Sequence, residues 1–242
     1  MSTFVLVHGA WQDGSTWEPV IKYLEAQGHQ AFAPTIAGNG KGVNKNVNHA
    51  QCTQSVVDYI IGKDLTDIIL LGPSFGGTII AKVAEAIGDR IKRLIFLDAF
   101  ILNDGESLKD NIPAHLQQLM DRLAKESDDN TMMMPFDLWR EVFINDADLE
   151  LAKSSYAQLS SQPYQPFIDK LDLKQFYSLP IPKSYLYCTE DNVLPQGEQW
   201  GWHPRMSNRL ELFRLVQMPG GHEVMFSNPI GLAEKIIVAG RD

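Results

Sequence analysis

Four short apolar runs, none alternating with polar residues, constrain most strongly what this chain can fold into. A strand with one face in water alternates, whereas a strand covered by helices on both faces is apolar throughout. The runs therefore predict buried strands of a mostly parallel sheet: Phe4–Val7, Ile68–Leu71, Leu94–Leu97 and Tyr185–Cys188. Two weaker strand candidates are Gln30–Ala33 and Leu212–Val216.

Helical patterns lie between these runs. The segment from Ser15 to Gly28 opens with the spacing of a capping box and ends at a glycine. Residues 77–87 carry one continuous apolar stripe, and Asn228-Pro229 is typical of a helix start. Alternating strands and helices predict an α/β fold with a doubly wound, mostly parallel sheet.

The alternation stops between residues 101 and 180. This stretch holds no strong strand pattern and carries amphipathic helical patterns around Leu116–Leu123, Leu138–Phe143 and Leu149–Leu159. The strand pattern resumes at Ile181. We therefore predict one domain over residues 1–242, with a helical cap inserted at about 101–180.

Composition excludes several classes of protein. Lys and Arg number 21 against 30 Asp and Glu, giving a net charge of −9, which disfavours nucleic-acid and anionic-membrane partners. The apolar runs are too short to span a bilayer. Two cysteines, Cys52 and Cys188, cannot form a disulfide framework, and the N-terminus lacks a signal-peptide pattern. These features predict a cytoplasmic protein.

A G-x-S-x-G motif, Gly72-Pro73-Ser74-Phe75-Gly76, directly follows one of the apolar runs and precedes a helical stripe. This strand–turn–helix setting is what a nucleophile elbow requires, because glycines allow the sharp turn that exposes the serine hydroxyl. The start of the following helix brings free N–H groups near developing negative charge. Ser74 is therefore the predicted nucleophile.

A serine nucleophile needs a base and an orienting acid, which follow it along the chain in this type of site. His222 lies in the loop after the last predicted strand and is the predicted base; its rival is His203. Asp191, just beyond Tyr185–Cys188, is the preferred acid. Asp98, which ends the strand Leu94–Leu97, and the neighbouring Glu190 remain alternatives.

An oxyanion hole needs two backbone N–H donors. The residue after the nucleophile, Phe75, supplies one in such sites. The loop His8-Gly9-Ala10-Trp11 follows the first strand, so Ala10 is predicted to supply the second. We interpret His8 as a residue that shapes this loop rather than as a base.

The sequence resembles the α/β-hydrolase superfamily. It is more closely similar to the plant methylesterase and hydroxynitrile lyase family with its small bacterial esterase relatives. The matching pieces are Phe4–Trp11, Gly72–Gly77, Phe96–Phe100, Cys188–Asp191 and Gly220–His222. The resemblance implies an α/β-hydrolase fold, a triad of Ser74, His222 and Asp191, an oxyanion hole from Ala10 and Phe75, and an apolar pocket under the cap. It implies no cofactor and no metal, and makes a homodimer plausible.

Two departures from the family pattern bear on function. The family usually has histidine before the nucleophile, where this chain has Pro73. Its lyases carry lysine after the catalytic histidine and threonine in the oxyanion loop, where this chain has Glu223 and Ala10. A carboxylate cannot stabilise departing cyanide as an ammonium does, which disfavours lyase activity. If Glu223 faces the pocket, it should disfavour anionic substrates.

The sequence therefore predicts a serine hydrolase that cleaves esters of a small to medium, partly apolar substrate through an acyl-enzyme. Alternatives are a thioester, lactone, amide or C–C bond hydrolase using the same site, and a ligand-binding protein with a vestigial site. Five aromatic residues are candidates for lining the substrate pocket: Trp11, Phe100, Trp139, Phe143 and Trp202.

Overall fold

The computed structural model describes residues 1–241; residue 242, the end of the predicted domain, lies outside the described residues. Its main sheet has six strands, and every neighbouring pair is parallel. The predicted parallel α/β sheet is confirmed. In their order across the sheet, the strands are β2 Gln30–Phe32, β1 Thr3–Leu6, β3 Ile68–Ser74, β4 Ile91–Ala99, β7 Lys183–Cys188 and β8 Arg214–Met218.

Helices cover both faces of this sheet, as the unalternating runs predicted. Phe4 and Leu6 belong to the core on one face, while Val5 and Val7 belong to the core on the other. The first face packs against α1 Glu18–Ala26 and α10 Pro229–Ala239. The second packs against α2 His49–Gly62 and α3 Gly76–Ile87. Both sets of strand side chains are thus removed from water.

The last strand begins two residues later than the apolar pattern indicated. Glu211 has a positive φ of 61° and Leu212 is 88% exposed, so the chain turns in the solvent before β8 begins at Arg214. Because β8 pairs only with β7 and edges the sheet, Leu215 also stays partly exposed.

Residues 100–182, here called the cap segment, connect β4 to β7. Its elements are α4 Ala114–Glu126, β5 Thr131–Met132, α5 Phe136–Leu138, α6 Leu149–Tyr156, β6 Gln162–Pro163, α7 Gln165–Ile168 and α8 Lys174–Ser178. The antiparallel pair β5–β6 corrects the prediction of helices alone. Strands of two residues that lie far apart in the chain leave no periodic signal, so the sequence could not indicate them.

A short helix, α9 Val224–Ser227, precedes α10. Among residues 1–241 no helix is both long and apolar enough to cross a membrane.

Candidate active site

Ser74 lies at the turn where β3 ends and α3 begins, with a positive φ of 50°. Such a φ is strained for a residue with a side chain, and strain of this kind concentrates at functional sites. The turn is tight because the neighbouring backbones nearly touch. A Cβ at Gly72 would collide with the carbonyl of Gly76, and one at Gly76 would lie 2.7 Å from the His8 carbonyl oxygen. The two glycines of the motif are therefore required by the geometry of the turn.

His222 and Asp191 meet at the carboxyl ends of the neighbouring strands β7 and β8. The His222 Nδ1 and the Asp191 Oδ2 are 2.5 Å apart, and both side chains are buried. The Val193 N–H donates to the other Asp191 oxygen at 2.8 Å. The aspartate thus has donors on both oxygens. The hydrogen bond uses Nδ1, so Nε2 is the ring nitrogen without a partner in the described structure.

The charge of Asp191 also sets the basicity of His222. Burial lowers the pKa of this histidine, but the neighbouring Asp191 carboxylate, its hydrogen bond and the nearby Glu223 outweigh burial, so the net pKa is raised above 6.5. The imidazole is held between two rings: Trp202 stacks on it with centroids 5.3 Å apart, and Phe143 meets it edge-on at 5.5 Å. These contacts limit the ring's rotation.

Asp98, the alternative acid, lies in the same cluster but does not make the short bond to His222. Its two oxygens accept one backbone N–H, that of Cys188, at 3.0 and 3.2 Å. Burial and the adjacent Asp191 raise the pKa of Asp98 well above its usual value. Ligand atoms of Asp98, Asp191 and His222 all lie within 4.8 Å of one another.

These three groups are also the one set of His, Cys, Asp and Glu side chains in residues 1–241 with the spacing of a metal site. Their side chains already take part in hydrogen bonds, because Asp191 bonds His222 and Asp98 accepts from the Cys188 N–H. A cation bound here would have to break the Asp191–His222 hydrogen bond. We therefore interpret the cluster as a hydrogen-bonded acid–base network.

Glu223 does not line the pocket. Its side chain is buried against Gln12, whose Nε2 donates to the carboxylate at 2.5 Å. Burial raises the pKa of Glu223 to about 7, although His222 and Gln12 oppose the change. The side-chain amide oxygen of Gln12, Oε1, is buried without a hydrogen-bond partner. Sequence reasoning identified the glutamate and missed Gln12, since nothing in the sequence connects positions 211 residues apart.

The two predicted oxyanion donors lie in backbone segments that leave their N–H groups free. Within the part of the chain that the structure describes, neither the Ala10 nor the Phe75 N–H donates a hydrogen bond, which is unusual for buried amides. The Ala10 loop is anchored to the cap segment. The Trp11 N–H donates to the Gln162 side chain at 3.1 Å, and its indole N–H donates to the Met132 carbonyl at 2.8 Å.

A partly open cavity lies between the sheet and the cap segment. Its lining includes Ser74 and Ala10 together with three of the predicted aromatic residues, Trp11, Phe100 and Phe143. The remainder is mostly aliphatic and comes mainly from the cap segment: Leu108, Ile112, Leu116, Leu119, Met120, Leu123, Met132, Met134, Pro135, Leu138, Val142, Phe167, Val193 and Leu194. Helical periodicity alone could not separate these side chains from ordinary core.

Two predicted pocket residues do not line this cavity. Trp139 stacks on Phe143 and donates its indole N–H to Ser155, so it packs behind the cavity wall. Trp202 stacks on His222 and meets Phe100 edge-on. Both indoles support side chains that lie closer to the cavity, a distinction that only tertiary packing makes.

The other histidine and carboxylate candidates lie outside the cluster. His203 pairs with Ser207 through Nδ1 at 2.7 Å, and the Glu190 side chain is exposed. His8 is fully buried, accepts the Ile36 N–H at Nε2 and contacts the Gly9 carbonyl through Nδ1. Burial lowers the pKa of His8 to about 4, so it is a neutral residue that shapes the loop.

The nucleophile candidate and the base candidate are both connected to the cavity wall but do not bond each other. No hydrogen bond joins the Ser74 hydroxyl to His222 among the described residues. Ser74 lines the cavity, and His222 packs against Phe143, which lines the same cavity. Catalytic hydrogen bonds are often long without substrate and tighten when it binds.

The family model described as "Alpha/beta hydrolase family" matches residues 4–235. A solved structure of an extracellular α/β-hydrolase from a Paenibacillus species, described as sharing structural and functional homology with tobacco Salicylic Acid Binding Protein 2, is 46% identical. The match covers 100% of both chains with a TM-score of 0.97. The predicted α/β-hydrolase fold is confirmed.

Curated relatives include enzymes from bacteria and plants. A carbendazim hydrolyzing esterase from Nocardioides sp. (strain SG-4G) is 28% identical over 99% of this chain and 100% of its own length. An alpha-hydroxynitrile lyase from Arabidopsis thaliana is 27% identical over 99% of this chain and 97% of its own length. The resemblance to both branches of relatives is confirmed.

Proposed function

Because the chain belongs to the α/β-hydrolase family and is an enzyme of esterase type, we propose that it hydrolyses neutral, apolar carboxylic esters through Ser74, His222 and Asp191. The observation that carries this proposal is the buried 2.5 Å hydrogen bond between Asp191 and His222, in a chain whose Ser74 lies at a strained turn between strand and helix. An aspartate on Nδ1 holds the imidazole in the tautomer whose Nε2 can accept a proton.

Each step of the reaction uses one of these groups. The Ser74 oxygen attacks the ester carbonyl while His222 accepts the hydroxyl proton, and the Ala10 and Phe75 N–H groups bind the resulting oxyanion. His222 then gives the proton to the departing alcohol, which leaves an acyl-enzyme. Water adds to the acyl carbon by the same route, the acid is released and Ser74 regains its proton. Asp191 stabilises the imidazolium in both halves.

The cavity lining favours a neutral substrate. No Lys, Arg, His, Asp or Glu is among the residues that line it. A charged group on the substrate would lose its hydration without gaining a partner, which costs several kcal/mol in an apolar site. The mostly aliphatic walls select a substrate by its shape rather than by hydrogen bonding.

The same lining disfavours cleavage of cyanohydrins. Departing cyanide needs a nearby cation or donor, and Glu223 stands where the lyases of this family carry lysine. The Glu223 side chain contacts Gln12 and is not among the residues that line the cavity. Mandelonitrile cleavage should therefore be negligible beside hydrolysis of an aryl acetate, a comparison made with one enzyme preparation.

The decisive experiment couples active-site labelling to turnover. The purified protein is treated with a fluorophosphonate, its intact mass and peptide map are recorded, and p-nitrophenyl butyrate hydrolysis is followed in the same tube. We expect one adduct, on Ser74, and loss of turnover in proportion to labelling. Ser74→Ala should neither label nor turn over, whereas Ser178→Ala, an exposed serine, should match the wild type. A Ser74→Ala protein that retains turnover contradicts the proposal.

We also propose a cytoplasmic location. Cys52 and Cys188 are buried free thiols, which suits a reducing compartment. The Paenibacillus relative is described as extracellular. Immunoblots of cytosol and culture medium from the native host decide between the two, and recovery mainly from the medium would refute the cytoplasmic assignment.

A further inference from the structure

Asp98 is placed beside the acid–base pair by a local distortion of β4. The register between β3 and β4 shifts at this residue: Pro73 pairs with Leu97, and Ser74 pairs with Ala99. Asp98 therefore bulges out of the ladder, and its φ is +35°, an unusual value for a residue other than glycine. Bulges next to active sites commonly redirect a side chain, and strain is retained where the surrounding structure holds it.

The neighbouring strand holds this distortion in place. The Tyr185 hydroxyl donates to the Ala99 carbonyl and accepts the Ala99 N–H, both at 3.1 Å. The Cys188 N–H donates to the Asp98 carboxyl. Two residues of β7 thus fix the bulged backbone and the side chain it carries, so the carboxyl points toward Asp191 and His222.

The balance of buried charges around His222 argues that the Asp98 carboxyl is not ionised. Three carboxyls, those of Asp98, Asp191 and Glu223, are 3% exposed or less and surround one histidine. His222 is the one cationic partner in the ion pairs that these carboxyls make within residues 1–241. A buried anion without a partner takes up a proton instead. Asp191 holds donors on both oxygens and is the group best able to keep its charge.

We propose that Asp98 is a positioning residue that stays protonated in the working enzyme and donates its hydrogen bond to the Asp191 carboxylate. This proposal rests on the proposed function, because it assigns Asp98 a role in the same triad. The donated hydrogen bond fixes the Asp191 orientation and withdraws part of its charge from His222. The histidine therefore remains neutral, and able to accept the Ser74 proton, at a lower pH than it otherwise would.

Other ionisable groups in contact with this network are held in their neutral forms. Burial and the adjacent carboxyls raise the pKa of the Tyr185 hydroxyl and the Cys188 thiol well above their usual values. Burial also raises the pKa of Tyr187. The charge of Asp146, in the cap segment, also raises the pKa values of Cys188 and Glu223. Asp191 and Glu223 are the carboxyls that raise the pKa of His222 directly, and Asp98 acts on the histidine through its contact with Asp191.

The test is the titration of His222 followed by NMR of histidine ring signals, assigned with His222→Gln. In Asp98→Asn a neutral amide replaces the acid, donates to Asp191 and accepts from Cys188. We expect the midpoint of the His222 titration in this variant to stay within about 0.3 pH unit of the wild-type midpoint. If Asp98 were ionised, this change would remove a neighbouring negative charge and lower the midpoint by about one unit or more, which would overturn the proposal.

Asp98→Ala removes the donor and completes the experiment. Asp191 should then hold the imidazolium more strongly, raising the His222 midpoint by about 0.5 to 1 unit and lowering kcat/KM at pH 7 by up to about tenfold. An unchanged midpoint with only a lower free energy of unfolding would show a merely structural role and refute the assignment. The titration needs no turnover, so it stands even if Ser74→Ala shows that the proposed function is wrong.

Discussion

Replacing Glu223 with glutamine should stabilise the protein increasingly as pH rises. Folding raises the pKa of this carboxyl from 4.5 to about 7, chiefly through burial. Between these values the native state binds a proton that the unfolded chain has released, so native stability falls as pH increases. With about 1.4 kcal/mol per pKa unit, the loss that Glu223 causes reaches about 3 kcal/mol by pH 8.

Glutamine mimics the protonated carboxyl and carries no charge. Its oxygen can accept from the Gln12 amide, and its N–H₂ can donate to the Gln12 oxygen that has no partner. The stability of Glu223→Gln relative to the wild type should therefore be near zero at pH 4.5 and rise to about 3 kcal/mol at pH 8.

Urea unfolding followed by tryptophan fluorescence at pH 4.5, 6, 7 and 8 measures this difference. Glu190→Gln, which removes an exposed carboxylate from the neighbouring loop, controls for the change of one unit in a net charge of −9. A difference between Glu223→Gln and the wild type that is the same at all four pH values would refute the reasoning. It would mean that Glu223 is hydrated or paired in the native state.

Three further outcomes follow from the site. Because His222 must be neutral to act as base and its pKa is raised, the acid limb of the kcat/KM profile should lie above pH 6.5; a limb below pH 6 argues against Asp191 as its partner. Asp191→Asn should lower kcat by about 10³- to 10⁴-fold with the fold retained on circular dichroism, and wild-type turnover would exclude its role. Leu116→Trp should narrow the cavity and raise KM for a naphthyl ester more than for an acetate, and equal effects on both would place the substrate elsewhere.

The linear sequence alone indicated the nucleophile turn and the candidate base, because the signals for both are local. An apolar run without alternation requires cover on both faces, and a G-x-S-x-G motif at its end requires a tight turn. These rules identified β3, the Ser74 turn and the histidine after the last strand. Chain order alone could not separate Asp191 from Asp98, since Asp98 lies near the end of β4, Asp191 lies just beyond β7, and the carboxyl ends of these strands meet at one edge of the sheet.

Only the tertiary structure decided how these pieces act on one another. The bulge at Asp98, the contact of Glu223 with Gln12 and the place of Trp139 behind the cavity wall all depend on residues far apart in the chain. Burial changes the pKa of a carboxyl, and burial is set by whatever the rest of the chain brings against it. A sequence can therefore indicate which groups carry the chemistry, while packing sets which of them keep their charge.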